Sequence, residues 1–358
     1  MTLKVGLVGC GRACADLHLP ALERLDDVQV VALADVDQDR LMKVADQYLV
    51  PCRYHDFLEL VGDSTIDVVG VCVPVGGHVD VALSALDAGK HVFVEKPVAL
   101  NLEDAARLAQ RSASSGRKVM VGHNLRFHRL VGPARALLKQ EGLGRVDTVQ
   151  AVWTTDMALS TELPVWRRSR SSGGGVLFEM AVHHFDLVGY LLDDPIRQVM
   201  ALGRDGGSED SGAVVTARTR SGVLESYSFS QESVVQNFIR INGEAGNLEL
   251  DLYRFDGLRF WSAGQQAGNP KTRLRHLVET ARQLPAGIRG VRTGGDYVVS
   301  YVAEWRAFVD CILQDSPSPC SVEEGAKAVA VTLAATTALR EGRPVEVDTE
   351  TARILERA

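Results

Sequence analysis

Val92-Phe93-Val94-Glu95-Lys96-Pro97 is the stretch that decides the fold, because a short apolar, β-prone run ends there in an acid, a base and a proline. This pattern predicts a buried strand that presents two charged side chains at its end. In an open α/β sheet, ligands bind beyond the carboxyl ends of the strands. We therefore expect Glu95 and Lys96 to lie where a cofactor meets its substrate, with Lys96 donating a proton or a hydrogen bond. The alternative is a simple salt bridge at the end of a strand that the proline stops.

A strand followed by a glycine-rich turn opens the chain. Residues 3–8 are apolar, the turn reads Gly9-Cys10-Gly11-Arg12-Ala13-Cys14, and residues 17–25 have helical spacing. Gly9 permits a tight turn, and Gly11 lets the backbone approach a pyrophosphate at the positive end of the helix. Cys14 stands where a third glycine or alanine is usual, and its small side chain still allows close packing of helix on strand. The turn, including Arg12 and Ala13, is a predicted cofactor site.

The second strand, residues 28–34, ends at Asp35 after a gap of helix length. A carboxylate at this point accepts hydrogen bonds from a ribose 2′-OH and repels a 2′-phosphate. The sequence therefore predicts NAD before NADP, although Asp37 and Arg40 nearby can modify that preference. The alternative for Asp35 is a solvated residue at the end of a strand.

The alternation of strands and helices continues and predicts a parallel sheet. Strands are expected at residues 66–73 and 118–121, and helices at 79–88 and near 102–115. Val73 and Pro74 end one strand and His78 stands near the next helix start, so all three are candidates to border the cofactor. A helix cap is an equal alternative for His78.

The pattern changes after Gly122, where a helix near 131–141 precedes several segments that alternate apolar and polar residues. These segments predict a mainly antiparallel sheet with one covered face. They include residues 146–153, 213–220, 223–230 and 247–253, and two helices near 297–314 and 322–341 close the chain. We expect two domains, residues 1–122 and 123–358.

Length and composition agree with a two-domain globular protein, since 358 residues exceed what one core usually covers. The net charge of -7 gives no electrostatic case for nucleic acid. No apolar run is expected to approach a membrane span, and the N-terminus runs straight into a strand, so we expect a cytoplasmic protein. Six cysteines without a Cys-x-x-Cys pair predict free, buried thiols.

A second chemical stretch follows Trp166-Arg167, where Gly173-Gly174-Gly175 enters an apparent helix. On an α-helix, Glu179, His183 and Asp186 would share one face. A histidine so placed can take the proton of a substrate hydroxyl while a carboxylate fixes its tautomer. Two alternatives are a pairing on the helix surface and a metal site made by the same three residues, although no histidine–cysteine spacing supports a metal.

The segment 271–292 is basic and amphipathic. It carries Lys271, Arg273, Arg275, Arg282, Arg289 and Arg292 against one acid, Glu279, among leucines. Pro285 and Gly287 predict that a helix near 271–284 ends there. We interpret it as a solvated basic face whose leucines pack on the protein. Alternatives are an anionic membrane or partner, or a lid or subunit contact near the site whose arginines favour a phosphate- or carboxylate-bearing substrate.

Several of these stretches together resemble the Gfo/Idh/MocA oxidoreductase family over nearly the whole chain. They are Gly9-Cys10-Gly11-Arg12, Ala88 to Pro97, Gly122-His123-Asn124-Leu125-Arg126-Phe127, Gly174-Gly175 through His183 and Asp186, and Gly243-Glu244-Ala245-Gly246. The resemblance implies an α/β fold with an N-terminal Rossmann domain and a C-terminal domain built on a large open, mainly antiparallel sheet. It implies NAD(P)-dependent chemistry on sugars or cyclitols, and a homodimer or homotetramer formed through that sheet.

By matched position, the resemblance implies that Lys96 assists catalysis and that His183 is the acid/base, with Glu179 beside it. Arg126, Trp166 and Arg167 would contact the substrate. The family usually has aspartate at Glu179 and glycine at Ala181, and a shift on the order of an ångström is costly in a catalytic site. We expect a dehydrogenase or ketoreductase of a sugar, glycoside or cyclitol. The alternatives are a carbonyl or imine reductase, a redox-assisted glycosidase, or a catalytically silent NAD-dependent regulator.

Overall fold

The computed structural model describes residues 2–140, 142–160, 163–265, 269–292 and 294–347. Within those ranges, the side chains of Ser160, Ala286, Arg289, Val291 and Arg292 lie outside the description.

The first half of the chain forms a six-stranded sheet in the order β3-β2-β1-β4-β5-β6. Every pair of neighbouring strands in it is parallel. The strands are β1 (Leu3–Val8), β2 (Val28–Ala34), β3 (Cys52–Tyr54), β4 (Val68–Val71), β5 (His91–Glu95) and β6 (Val119–Gly122). The helices are α1 (Leu19–Leu22), α2 (Gln38–Gln47), α3 (Phe57–Gly62), α4 (His78–Asp87) and α5 (Leu102–Ser115). The predicted parallel α/β arrangement is confirmed.

The ends of these helices are set by local sequence. The Asn101 side chain accepts a hydrogen bond from the Asp104 amide at the start of α5, and Gly116 ends the helix in the left-handed conformation. Asp37 caps α2 in the same way by accepting from the Arg40 amide. Two predicted boundaries were too long, because β4 covers only residues 68–71 and the first helical segment ends at Leu22.

The second sheet has eight strands in the order β13-β12-β11-β7-β10-β9-β8-β14. Its pairs are antiparallel except for β7 with β10, which confirms the predicted mainly antiparallel sheet. The elements of this half are α6 (Val131–Lys139), β7 (Val146–Thr154), α7 (Met157–Ser160), α8 (Val182–Leu192), β8 (Ile196–Arg204), β9 (Gly212–Thr219), β10 (Leu224–Ser230), β11 (Gln236–Gly243), β12 (Gly246–Asp251), β13 (Leu258–Ser262), α9 (Pro270–Arg292), α10 (Gly295–Leu313), α11 (Val322–Glu341) and β14 (Val345–Glu346).

The closing helices join the two halves. Trp305 of α10 is fully buried and stacks on Phe93 of β5, with ring centroids 4.2 Å apart. Val322 and Ala326 of α11 belong to the same core, while Ala335 further along α11 packs in the core of the second sheet. The last two helices therefore hold the carboxyl end of β5 against the second sheet, and the boundary at residue 122 stays a proposal.

The predicted end of α9 at Pro285 is wrong, because the helix runs through the proline. A proline inside a helix costs about 3 kcal/mol, and contacts on both sides of Pro285 offset that cost. Before it, the Thr280 hydroxyl donates to Asp256 Oδ2 over 3.0 Å. After it, Gly287 is buried so closely against the Phe255 ring that an added Cβ would lie 2.7 Å from it. Leu274 and Leu277 face solvent, so the expected packing of leucines on the protein is also wrong.

One helical stretch, Arg170–Leu192, is long and apolar enough to cross a membrane by length and composition, contrary to the expectation from sequence. Of its apolar window, 78% is buried inside the protein, as is usual for a core helix, so it is weak evidence for a span. The six cysteines are free thiols, as predicted. Cys52 and Cys72 are half-buried, whereas the other four are buried.

Candidate active site

Lys96 follows the carboxyl end of β5, a strand buried between β4 and β6. Its Nζ donates a hydrogen bond to the carbonyl oxygen of Glu179 over 3.0 Å, across 83 residues of sequence. Burial lowers the pKa of the Lys96 ammonium, while the negative charges of Glu95 and Glu179 oppose that shift. The first chemical stretch and the second therefore meet at this ammonium.

Glu95 points into the protein, below the lysine. Its Oε1 lies 2.8 Å from His18 Nε2, and its Oε2 accepts from the Lys96 amide over 3.0 Å. Trp305 Nε1 lies 2.9 Å from His18 Nδ1. Because an indole nitrogen only donates, His18 Nδ1 accepts and His18 Nε2 carries the proton that it donates to Glu95. Burial alone would raise the pKa of Glu95, but this hydrogen bond and the charge of Lys96 hold it below its usual value.

The helix that carries His183 begins with a π-helical turn at Leu177–Ala181 and continues as α8. Gly174 is required before it, since a Cβ there would lie 2.2 Å from the Arg167 carbonyl oxygen. The wider turn, with i→i+5 hydrogen bonds, changes the spacing that an α-helix would give. The turn changes the position of Glu179 relative to His183, whereas His183 and Asp186 both lie on the regular helix α8. The carboxylates of Glu179 and Asp186 are bound by other side chains, those of Gln231 and Arg126.

His183 is buried beside Trp153, whose ring centroid lies 5.2 Å away, and beside His123 at 6.2 Å. Its Nδ1 accepts or donates no hydrogen bond among the described residues. Burial, and then the positive charge of Lys96, hold the pKa of His183 well below its usual value. The imidazole is therefore neutral near pH 7 and ready to accept a proton.

Glu179 is held by two side chains from other elements. Its Oε2 accepts from Gln231 Nε2 over 3.0 Å, and its Oε1 lies 3.2 Å from Arg167 Nε. The Arg167 guanidinium in turn lies over the Trp166 ring, 5.1 Å from its centroid. Burial raises the pKa of Glu179, and the charges of Arg167 and Lys96 limit the rise. Trp166, Arg167 and Glu179 are thus brought together near Lys96.

Arg126 and Asp186 form a buried ion pair under the site. Arg126 Nε and Nη2 donate to the two oxygens of Asp186 over 2.8 and 2.6 Å, and Arg126 Nη1 lies 3.2 Å from a Glu324 oxygen. All three guanidinium nitrogens therefore already have partners. The geometry favours a role for Arg126 in supporting α8 over the substrate contact that the family resemblance implies. Asp186 also lies 3.5 Å from His123 Nδ1. Its partners are therefore Arg126 and His123, and not His183 as the sequence predicts.

At the other end of the site, the glycine turn follows β1 and the first helical residues are Arg12 and Ala13. Gly9 has a φ of +93°, and a Cβ on it would lie 2.7 Å from the Cys72 backbone. Gly11 has no atom within 4 Å of such a Cβ, so this side of the turn is open. Cys14 is fully buried, as the close packing of helix on strand requires. Arg12 is exposed and lies 3.4 Å from Asp16.

Asp35 ends β2 and binds the glycine turn directly. Its Oδ2 accepts from the Cys10 amide over 2.7 Å, and its Oδ1 accepts from the Asp37 amide over 2.8 Å. Arg40 donates to both oxygens, over 3.1 and 2.9 Å. Burial alone would raise the pKa of Asp35. The hydrogen bonds, of which those from Arg40 have the largest effect, hold it below its usual value. The sequence pointed to Arg40 as a modifier without predicting this pairing.

His78 begins α4 but does not cap it with its side chain. Its ring is buried, with Nδ1 2.8 Å from the Pro97 carbonyl oxygen and Nε2 2.9 Å from that of Val73. The ring thus ties the loop that carries Val73 and Pro74 to the loop after Lys96. Its place beside the predicted cofactor loops is as expected, but it acts through backbone carbonyls and offers no free nitrogen.

These features fit a dinucleotide. The open turn at Gly11, the start of a helix beside it and the carboxylate of Asp35 are the three parts that bind pyrophosphate and ribose in Rossmann folds. The strand order changes direction between β1 and β4, which is where such sheets bind their ligands. Fold and site together define an NAD-binding oxidoreductase.

Comparison with known proteins agrees. The description "Oxidoreductase family, NAD-binding Rossmann fold" matches residues 3–123, and "Oxidoreductase family, C-terminal alpha/beta domain" matches residues 135–347. The chain therefore belongs to the Gfo/Idh/MocA oxidoreductase family, as the resemblance implied, and its cofactor is NAD.

A myo-inositol 2-dehydrogenase of Thermotoga maritima is 26% identical over 355 residues, which cover 97% of this chain and 99% of that protein. A levoglucosan dehydrogenase in complex with NADH superposes with a TM-score of 0.83 at 18% identity, over 97% of this chain and 99% of that one. The WlbA dehydrogenase from Bordetella pertussis, in complex with NADH and UDP-GlcNAcA, superposes with a TM-score of 0.80 at 21% identity, over 96% and 97%. These two structures show a shared fold.

Sequence reasoning missed the residues that support the site from a distance. His18, Gln231 and Trp305 come from different parts of the chain and carry no local motif. Only the burial of a polar side chain would have identified them, and burial is not visible without the fold.

The buried histidines predict sensitivity to acid. Burial lowers the pKa of His123, His128 and His184 to about 4, against 6.5 for an ordinary histidine. Between these values the unfolded chain binds more protons, so the free energy of unfolding falls as the pH drops, by up to about 1.4 kcal/mol per pH unit for each group. Urea denaturation at about pH 7 and about pH 5 measures this slope. His184→Asn should reduce this slope by the contribution of one titrating group. A free energy of unfolding that does not change with pH would contradict the prediction.

Proposed function

We propose that this protein is an NAD-dependent dehydrogenase or ketoreductase that interconverts a secondary alcohol and a ketone of a sugar, glycoside or cyclitol. One observation carries the proposal: the Lys96 ammonium binds the carbonyl oxygen of Glu179, in the helical turn that precedes His183. Burial, and then the charge of Lys96, lower the pKa of that histidine. An acid/base and a cation thus share one site next to the NAD-binding sheet. The inositol dehydrogenase named above supports the substrate class.

The side chains divide the work. The neutral imidazole of His183 takes the proton of the substrate hydroxyl, and the Lys96 ammonium donates a hydrogen bond to the same oxygen as negative charge develops there. One N–H of the Lys96 ammonium donates to Glu179, and the others can donate to the substrate. Arg167 and Trp166 present polar and aromatic surface for sugar hydroxyls. When bound, NAD accepts or returns the hydride of the reacting carbon.

Lys96 also helps to keep His183 a proton acceptor. Burial is the larger cause of the lowered pKa of His183, and the neighbouring positive charge of Lys96 adds to it, so both favour the neutral imidazole in the resting enzyme. Glu179 binds Lys96 through its carbonyl oxygen and pairs with Arg167 through its carboxylate. We propose Glu179 as a substrate-contacting or positioning acid whose partners are Arg167 and Gln231.

A substrate panel tests the proposal. Sugars, glycosides and inositols, with their ketones, are incubated with NAD or NADH, and the nicotinamide absorbance is followed together with analysis of the product. Turnover of a secondary alcohol to a ketone is the expected result. Reduction of an imine, cleavage of a glycosidic bond, or NAD binding without turnover of any panel member would each support one of the alternatives.

Cofactor choice gives a separate prediction. Asp35→Ser is expected to shift the ratio of the NAD and NADP affinities toward NADP by about tenfold or more, that is about 1.4 kcal/mol or more. The variant loses a carboxylate that repels a 2′-phosphate, and it frees Arg40 to bind that phosphate. Titration of both cofactors measures the ratio. Asp56→Ser is the matched control, since Asp56 is an aspartate that caps a different helix, α3, by accepting from the Leu58 amide. An unchanged ratio in Asp35→Ser would place Asp35 outside the ribose site.

We also propose that the outer face of the eight-stranded sheet is a subunit interface of a homodimer or homotetramer. Met200, Leu202, Val214 and Leu224 are exposed on three adjacent strands of that face. Contiguous exposed apolar surface of this kind marks interaction sites. Separately, we propose that the protein is cytoplasmic.

A further inference from the structure

Helix α9 presents its apolar side to solvent. Leu274, Leu277 and Ile288 are 64%, 67% and 57% exposed, and Val278 and Leu284 are exposed as well. We call these five aliphatic residues the α9 stripe. A surface helix of a globular protein normally turns such a stripe toward the core. The α9 stripe is therefore available to another molecule.

The opposite side of α9 holds the helix in this orientation through polar and small residues. Thr272 is buried, Arg275 Nη2 donates to the Phe260 carbonyl oxygen over 2.9 Å, and the His276 ring meets Trp261 with centroids 5.1 Å apart. The contacts of α9 with Asp256 and Phe255, described above, lie on the same side. These contacts tie α9 to β13 and to the loop before it, so the outward direction of the stripe is a property of the fold.

Basic side chains border the α9 stripe on both sides. At about 100° of rotation per residue, the stripe occupies an arc of roughly 120° on the helix. Exposed Arg273 lies beside one edge of that arc, and exposed Lys271 and Arg282 lie beside the other edge. Helices that lie in a membrane interface have this arrangement, because their apolar arc enters the acyl boundary while lysine and arginine reach back to the headgroups.

The surroundings of α9 leave its positive charge uncompensated. Six basic residues and one acid give the helix a formal charge of +5. The acid, Glu279, lies 3.4 Å from Arg275. Asp256 and Asp296, which adjoin the helix, are each paired with an arginine outside it.

The negative charge of the rest of the chain acts weakly at this helix. The total charge is -7 and α9 contributes +5, so the remainder carries -12. At physiological ionic strength, exposed charges more than about 8 Å apart are largely screened from one another. A negatively charged surface in contact with α9 therefore meets mainly the cations of the helix.

A lipid surface fits these features better than a protein does. Two copies of α9 would set a charge of +5 against another charge of +5, which disfavours a pair of these helices. The α9 stripe consists of leucine, isoleucine and valine, without the aromatic residues and methionine that are enriched at protein interfaces. Aliphatic side chains enter lipid without a shaped pocket, and anionic headgroups supply the charge that Lys271, Arg273 and Arg282 bind.

We propose that α9 docks this protein on an anionic lipid surface. The helix lies in the plane of the interface, with the α9 stripe in the acyl boundary and the flanking cations at the headgroups. The attachment is peripheral and reversible, and it agrees with a cytoplasmic protein because the cytoplasmic leaflet carries the anionic lipids. The inference concerns where the protein acts and does not depend on the substrate or the reaction.

Binding of the whole protein to vesicles tests the proposal. Vesicles of phosphatidylcholine mixed with phosphatidylserine are compared with vesicles of phosphatidylcholine alone, and bound protein is measured after flotation. We expect at least about tenfold tighter binding to the anionic vesicles, since each lysine or arginine at such a surface adds about a fivefold preference. The preference should decrease in about 0.5 M salt, which shortens the range of the charge interaction.

Two variants separate the stripe from the charges. Leu277→Ser/Leu284→Ser removes apolar surface without a change of charge, and it should weaken binding to the anionic vesicles by about a hundredfold or more. Lys271→Gln/Arg282→Gln keeps the stripe and should lower the preference for anionic vesicles by about tenfold or more. The matched control is Leu49→Ser/Leu58→Ser, which replaces two leucines exposed on the other half of the chain and should bind as the wild type does.

All four proteins should give the same circular dichroism spectrum, because the substituted side chains are exposed. A wild type that binds neither kind of vesicle, or binds both equally, would overturn the proposal. Binding that survives in Leu277→Ser/Leu284→Ser would show adsorption by charge alone and would also overturn it. A mass that falls in this variant by light scattering, without vesicle binding by the wild type, would assign the stripe to a protein contact instead.

Discussion

His183→Asn and Lys96→Met each lose about 10²–10⁴-fold in kcat while the variants still fold and bind NAD, the range that general acid–base catalysis supplies. Asparagine cannot take the proton of the substrate hydroxyl, and methionine cannot stabilise the charge that develops on its oxygen. The two residues lie on separate segments that meet through the Lys96–Glu179 hydrogen bond. Single-turnover kinetics with a substrate found in the panel measures the loss in the chemical step.

His184→Asn is the matched control for this result. His184 is the next residue of the same helix and is equally buried, but its Nε2 faces Asn237 Oδ1 over 2.9 Å. We expect its kcat to stay within about tenfold of the wild type, since it touches no reacting atom. A loss under tenfold in both His183→Asn and Lys96→Met, with chemistry limiting turnover, would refute the proposed roles.

The first half of the fold was predictable because its signals are local. Apolar strands, a glycine turn and the acid after β2 each occupy a few adjacent residues, and a parallel sheet brings the strand ends together. Lys96 and Asp35 could therefore be placed from sequence. The hydrogen bond of Arg40 to Asp35 could not, because helix α2 was not part of the prediction.

The second half shows where local patterns fail. The spacing of Glu179 and His183 predicts one face only if the helix is regular, and the π-helical turn after Gly175 removes that condition. Asp186 shares the regular helix α8 with His183, but its carboxylate is bound by Arg126. The face of α9 was also wrong, because periodicity indicates that a helix is amphipathic without saying which side meets the protein. The partner of Glu95 is a third case: His18 and Trp305 are 287 residues apart in sequence.

Arg126→Met is expected to lower the free energy of unfolding by about 3–5 kcal/mol, because it leaves the buried carboxylate of Asp186 without its partner. The pair is nearly inaccessible to solvent and is bonded through two short hydrogen bonds. Urea denaturation measures the change. Arg145→Met is the matched control, since Arg145 binds Glu244 through the same two nitrogens on the exposed surface, where solvent screens the pair.

The double variant Arg126→Met/Asp186→Leu separates a buried charge from lost packing. Replacing both members of a buried ion pair with apolar residues is often neutral or stabilising, so the double variant should recover much of the lost stability. It should not recover full activity, because Asp186 follows His183 by three residues on α8 and the ion pair holds that helix against His123. Full activity in a stable double variant would show that α8 positions His183 without the pair, whereas stability regained with a lowered kcat would show that the ion pair serves the geometry of the site.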